Sequence, residues 1–338
     1  MAARAAYGSI DGEGGIDGRL SLGLMRDYRV RHPVAFLVYK RPDCTREVFA
    51  RIRAARPTRL FVIADGPKDK PGEAEACREV RRIVSDVDWD CEVSIDAADV
   101  NLGLRRRVSG GLDWVFRQSE TAIILEDDCI PSPSFFRFCD ELLDRYRDEP
   151  RVMTICGSNY LGRLDTDTSY VFTVRCALWG WATWRRAWET YDVDLASWPR
   201  NRTHDPFEGL PLTPKEARGL AECLDNLADE DESRRKFDTW DYQWFYNCYA
   251  RKGLAVTPRV NLVSNVGFGE DATHTKVKNH KLARIPAGQL EFPLVHPRSM
   301  EVSMEFERAY ARRIINKTMG ERLANMARRL MRRVALAP

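Results

Sequence analysis

Four short apolar runs, each separated from the next by a longer amphipathic or polar stretch, constrain this chain more than any other feature. They are Val34–Tyr39 (VAFLVY), Arg59–Ala64 (RLFVIA), Cys91–Ile95 and Thr121–Leu125 (TAIIL). Short continuous runs of β-branched, aliphatic and aromatic residues read as strands buried on both faces. Between them, Thr45–Ala55 sets Val48, Phe49 and Ile52 on one side of a helix, and Ala74–Val84 is a charged amphipathic helix. Leu104–Phe116 is a third helix, led in by Asn101 and Gly103, and Asp65-Gly66-Pro67 closes the second strand as a turn. A β-α-β-α-β-α-β order predicts an α/β fold: a mostly parallel sheet with helices on both faces.

The second half is less regular. Phe135–Tyr146 reads as a helix, Val152–Cys156 as a strand and Tyr170–Val174 as a half-buried strand. Leu178–Trp188 (LWGWATWRRAW) holds four of the nine tryptophans. Glu216–Arg235 is a polar helical segment, Trp240–Tyr249 is aromatic-rich, and Leu254–Val263 supplies one or two strands. Leu323, Met326, Leu330 and Val334 recur at helical spacing beside Arg328, Arg329, Arg332 and Arg333. A basic amphipathic helix of this kind can lie on an anionic membrane surface or pack on its own domain.

Composition narrows the function classes. With 53 basic and 50 acidic residues among 338, the net charge of +3 gives no basic face for nucleic acid. No apolar run approaches the roughly 20 residues a membrane-spanning helix needs. The start, MAARAAYGSIDGEGGIDG, is glycine-rich and acid-bearing and reads as a loose arm over residues 1–30. Nine cysteines without a CxxC pair, Cys129, Cys139, Cys156 and Cys176 among apolar neighbours, suit buried thiols in a reducing cytosol.

The chemistry concentrates where strands end. Three strands run out into polar residues at Arg41, Asp65 and Glu126-Asp127-Asp128, and in open α/β sheets ligands collect at the carboxyl ends of strands. Acids closing a buried strand repel one another and lose hydration, so they require a counter-charge. A divalent cation with oxygen ligands, Mn²⁺ or Mg²⁺, is the simplest. Successive strand residues point to opposite faces, so Asp127 and Asp128 cannot serve one ion identically.

The segment ILEDDCIPSPSFFRF resembles the metal-binding signature of GT-A-fold glycosyltransferases, in particular the N-acetylglucosaminyltransferase I type and bacterial sugar transferases allied to glycosyltransferase family 2. An ordered series over residues 33–275 extends the resemblance: FLVYKRP, VIADGP, NLGLRRRVSGGLDWVF, LWGWATWRRAW, FDTWDYQW and NVGFGEDATHT. It implies a GT-A, Rossmann-like domain with a nucleotide-sugar-binding half (31–160) and an acceptor-binding half (161–290), followed by a helical tail (291–338).

The resemblance also implies roles. Asp128 would be the metal ligand, with Glu126 and Asp127 contacting ribose or completing the shell. Asp65 would contact the base, Arg41 would lie beside the base or phosphates, and Arg107 would approach the diphosphate. Asp241 would be the base that takes the acceptor hydroxyl's proton in an inverting transfer, with Asp238 as the fallback. Members of the family carry paired acids at this point, where this chain has Asp241-Tyr242. Trp181 would contact the acceptor, and His274 would reach the metal or the diphosphate. Gly267 and Gly269 suit a loop that closes on the donor.

The implied function is metal-dependent transfer of a sugar from a nucleotide-sugar, a UDP-sugar by preference, to a hydroxyl of a glycan or lipid-linked glycan. The setting expected is the cytoplasm or the inner face of a bacterial membrane, in surface polysaccharide assembly. A sugar-phosphate nucleotidyltransferase shares such a sheet but needs a glycine-rich loop after the first strand, where this chain has Lys40-Arg41-Pro42-Asp43. A carbohydrate-binding scaffold that has lost catalysis is the non-enzymatic alternative.

Overall fold

The computed structural model describes residues 28–198, 202, 205–229, 231–236, 238–267 and 285–316. Most of the expected arm, His274, Gly269 and the expected basic helix around 323–334 lie outside the described residues.

Strand β1 (Val34–Val38) runs into α1 (Pro42–Ala55), β2 (Arg59–Ala64), α2 (Glu73–Ser85), β3 (Glu92–Ala97), α3 (Leu104–Phe116) and β4 (Thr121–Glu126). The first half thus follows the alternation of its apolar runs. The chain continues through β5 (Cys129–Pro131), α4 (Pro133–Arg145), β6 (Val152–Cys156), β7 (Tyr170–Thr173), β8 (Trp181–Trp184) and the single turn α5 (Arg185–Trp188). It ends, among the described residues, with α6 (Pro214–Leu227), α7 (Asp241–Ala250), β9 (Leu254–Pro258), β10 (Val263–Asn265) and α8 (Met304–Tyr310).

Among the described residues the main sheet has eight strands in the order β3-β2-β1-β4-β8-β6-β9-β7, and β5 pairs with β10 in a separate ribbon. The pairings β3-β2-β1-β4 and β6-β9 are parallel, while β8 and β7 are antiparallel to their neighbours. The expected α/β fold with a mostly parallel sheet is the one present. Because side chains alternate along a strand, Val34, Phe36 and Val38 of β1 join Val48, Phe49 and Ile52 of α1 on one face. Ala35 and Leu37 meet Val108, Leu112 and Val115 of α3 on the other. Helices therefore cover both faces.

The order β2-β1-β4 places consecutive strands β1 and β2 on one side and β4 on the other. Connections leave β1 and β4 in opposite lateral directions, which opens a crevice at their carboxyl ends. The described part of the tail packs on the sheet and its helices. Val302 bridges Phe172 of β7, Ser303 caps α8 by accepting the Phe306 N–H, and Leu290 donates its N–H to Ser134 of α4 at 3.1 Å. No helix among the described residues is long and apolar enough to cross a membrane. All nine cysteines are free.

Candidate functional site

Arg41 follows β1 and Asp127 follows β4, so the adjacency of these strands brings the two residues together across the crevice. The Arg41 guanidinium donates to Asp127 Oδ1 at 2.5 Å and to Asp128 Oδ2 at 2.9 Å. Asp127 is 2% exposed, and its second oxygen accepts the Tyr39 N–H at 3.2 Å. It thereby fixes the β1–α1 loop. Asp127 and Asp128 lie in the turn after β4, where strand alternation no longer applies, so both reach the same guanidinium; the Asp128 Oδ1 also accepts from Asn265 Nδ2 at 3.2 Å. The β5–β10 ribbon sets Asn265 opposite Cys129 and so delivers it. Gly267 packs against the same carboxylate; a Cβ there would collide with it.

The counter-charge that the acids require is supplied here by Arg41. Its position just after β1, the strand that neighbours β4, is what brings it there. One guanidinium does not neutralise three carboxyls. Burial, with Asp128 and Asp127 alongside, pushes the Glu126 carboxyl up to about 8, and Asp241 adds to the rise. Burial pushes Asp127 up to about 6, against the pull of Arg41. Burial and mutual repulsion thus disfavour the ionised forms of these acids, and an arriving cation would favour them.

Whether the residues suit a metal can be judged from their donors. Among the described residues no group of three or more His, Cys, Asp or Glu side chains is arranged to hold an ion. Mg²⁺ and Mn²⁺ need less when a diphosphate shares them, since one or two carboxylates then suffice. Asp128 beside Gly267 suits that arrangement, a cation held jointly by the protein and a bound diphosphate, and does not suit a metal held by the protein alone.

The second strand end is built differently. Asp65 is 7% exposed. Its carboxylate accepts from Asn101 Nδ2 at 2.7 Å and from the N–H groups of Leu102 and Gly66 at 2.9 and 2.8 Å. Burial still pushes its carboxyl upward. Arg107 does not reach the acidic group. It donates to the backbone oxygen and the carboxylate of Asp96 at 2.7 and 2.8 Å, and its charge is felt at Asp65. Arg107 thus sits with Asp65 at the β2–β3 end. Glu73, at the start of α2, ties this end to the β1 loop through the Tyr39 hydroxyl, Lys40 Nζ at 2.6 Å and the Lys68 N–H at 2.8 Å. Burial alone would raise the Glu73 carboxyl, but these hydrogen bonds outweigh it and hold it at about 2.

Asp241 opens α7 on the facing side. Its Oδ1 accepts from the Thr239 hydroxyl and from the Tyr242 N–H at 2.9 Å. Its charge is felt at Glu126, Tyr160 and Tyr242, and also at Tyr191 and Cys223. Asp238 belongs elsewhere: its carboxylate accepts the Leu104 and Arg105 N–H groups at 2.6 and 3.1 Å. It caps α3 from more than a hundred residues away. Gly103 permits this with a φ of 81° and no side chain in the carboxylate's path.

The expected acceptor contact at Trp181 is corrected. Trp181 is 1% exposed and lies in the core against Trp240, Trp244 and Trp188, with ring centroids 5.6, 5.4 and 6.4 Å away. As the first residue of a central strand it points under the helices. Trp184 is also buried, whereas Trp179, just before β8, is half-buried.

No protein-family model matches the chain, and no curated protein matches it. Among solved structures, a mannosyltransferase from Pyrobaculum calidifontis in complex with GDP-Man and Mn²⁺ is similar at 14% identity and a TM-score of 0.36, over 67% of this chain and 70% of that one. A UDP-glucose pyrophosphorylase complexed with UDP-glucose aligns at 9% identity and 0.30, over 69% and 91%. A 4-diphosphocytidyl-2C-methyl-D-erythritol synthase from Anaerococcus prevotii aligns at 11% and 0.27, over 65% and 98%. Likenesses this distant assign neither family nor activity.

Proposed function

We propose that this protein is a nucleotide-sugar-dependent glycosyltransferase, metal-assisted and inverting, acting on a hydroxyl of a glycan or lipid-linked glycan. The observation that carries the reading is the pairing across one crevice of two unlike halves: the Arg41–Asp127–Asp128 charge group at the β1/β4 switch point and the Asp241 carboxylate, with Glu126 feeling both.

The guanidinium of Arg41 can exchange carboxylate oxygens for phosphate oxygens, which it binds with the same fork geometry. Asp128 would then hold a divalent cation together with the diphosphate, and Asp127 would keep the β1 loop in place. The cation supplies neutralisation of the charge that builds on the departing nucleoside diphosphate. Asp65, with Asn101, offers the nucleoside a polar edge at the end of β2. Asp241 accepts the acceptor hydroxyl's proton while that oxygen bonds to the anomeric carbon and the bond from that carbon to the phosphate oxygen breaks. One displacement from the far face inverts the configuration.

The β1 loop tells against a nucleotidyltransferase. It contains no glycine, and its Tyr39 N–H and Lys40 ammonium are already engaged by Asp127 and Glu73. A UDP-sugar is the preferred donor in this proposal. Work at the inner face of a membrane would fall to the basic segment 323–334, outside the described residues. The test is release of nucleoside diphosphate from UDP-, GDP- and dTDP-sugars with Mn²⁺: the wild type turns over one of them, and Asp241→Asn binds the same nucleotide without turnover. Equal turnover in Asp241→Asn would remove it from the reaction.

A further inference from the structure

We infer that Asn265 is the residue that positions Asp128 for a divalent cation, its side-chain amide holding one carboxylate oxygen so that the other is left for a cation shared with a bound diphosphate. The inference rests on the function proposed above.

Asn265 is the last residue of β10, and its amide is fixed at both ends. Its Oδ1 accepts the Gly267 N–H at 2.8 Å. A backbone N–H can only donate, so that bond sets which way the amide faces. Its Nδ2 is thereby turned to Asp128 Oδ1, 3.2 Å away. The buried Cys129 thiol approaches the same oxygen at 3.4 Å. The backbone repeats the tie, the Val266 N–H donating to the Asp128 carbonyl at 2.9 Å. Two neutral donors therefore occupy Oδ1, while Oδ2 meets the Arg41 guanidinium at 2.9 Å.

This division of the two oxygens suits a hard cation. Mg²⁺ and Mn²⁺ take oxygen ligands in octahedral geometry, with one or two carboxylates beside substrate phosphates. A carboxylate free to rotate presents its oxygens in many directions, whereas one held through Oδ1 presents Oδ2 in one. An amide directs the carboxylate without adding a charge beside it, and a carboxylate in its place would add repulsion. Asn265 is half-buried at the end of a three-residue strand, so its side chain contributes little to the core. Gly267 gives the same carboxylate room: a Cβ there would collide with Oδ2 and stand 3.1 Å from Arg41 Nη1. Asn265 and Gly267 thus act on opposite oxygens of one side chain.

The experiment counts bound Mn²⁺ by water-proton relaxation on the full chain, at saturating UDP, GDP or dTDP, whichever binds the wild type most tightly. The metal-free affinity of the same nucleotide is measured alongside by calorimetry. Asn265→Ala should raise the Mn²⁺ dissociation constant by about 10–100-fold, the range for a lost hydrogen-bond partner of a metal ligand. Metal-free nucleotide affinity should stay within twofold. Gly267→Ala, which displaces Oδ2 without removing the amide, should also weaken Mn²⁺. Wild-type Mn²⁺ affinity in Asn265→Ala, with binding still lost in Asp128→Ala, would overturn the positioning role and leave the proposed function standing. An equal loss of metal-free nucleotide affinity in Asn265→Ala would overturn it too, since the residue would then support the fold of the site and not the cation. A wild type that binds nucleotide but no Mn²⁺, or no nucleotide at all, would overturn the metal-assisted reading and the inference with it.

Discussion

The two halves of the sheet solve different problems. Strands β3-β2-β1-β4 are parallel and fall within Val34–Glu126, little more than a quarter of the chain, and their carboxyl ends carry charge: Asp65, Arg41, Asp127 and Asp128. Strands β8-β6-β9-β7 are interleaved in sequence and mixed in direction. Their end of the crevice carries Asp241 among aromatic rings. Charge suits a phosphate-bearing ligand, whereas rings and one carboxylate suit a sugar hydroxyl. On the proposed function, the two kinds of lining would divide the crevice by chemistry along the line where β4 meets β8.

The largest effect expected is on turnover. Asp241→Asn should lower it by about 10²–10⁴-fold, the range of a lost general base, with nucleotide affinity within twofold by titration. A parallel loss of affinity would erase the division. Next is Glu307→Ala, which leaves the buried Arg175 with Glu216 as its one carboxylate partner among the described residues. Breaking a buried pair costs about 3–5 kcal/mol, read as a lower urea midpoint, and unchanged stability would show that the pair does not anchor α8 to the sheet. Asp238→Ala removes the α3 cap at about 1 kcal/mol, or about 2–4 °C in Tm for a domain of this size. Lost turnover at unchanged Tm would instead make Asp238 the base.

The smallest effect is confined to pH. Glu73, held at about 2 against its ordinary 4.5, contributes stability that is present above 4.5 and lost as pH falls towards 2. Glu126, raised to about 8, works with the opposite sign: its contribution is present below 4.5 and lost as pH rises through 8. Thermal melts should therefore respond at the acid end to Glu73→Gln and at the alkaline end to Glu126→Gln. Identical profiles for both variants would contradict these assignments.

Strands β1, β2 and β4 were legible because strands buried on both faces announce themselves as continuous apolar runs, whereas β3 is a largely exposed edge strand with no such run. Arg59–Ala64 and Leu104–Phe116 have the limits expected of them. The second half was harder, since the four residues of β8 are too few to show a period, and a tryptophan reads alike as core or as binding surface. Trp181 was misplaced for that reason. Asp238 and Asp241 are near-identical in sequence context, and only the long-range contact with Leu104 and Arg105 separates a cap from a candidate base. Arg41's partners depended on strand order, and Asn265's on the β5–β10 ribbon, neither of which local sequence encodes.

The central claim is that the acidic group at the end of β4 is a donor site. Calorimetric titration of UDP, GDP, dTDP and CMP, with and without Mn²⁺, tests it most directly on the wild type and on Asp128→Ala. The account predicts that one nucleotide binds at least about tenfold more tightly with Mn²⁺, about 1.4 kcal/mol, and that Asp128→Ala abolishes the difference. Binding of none of them, or binding indifferent to both Mn²⁺ and Asp128, would contradict it.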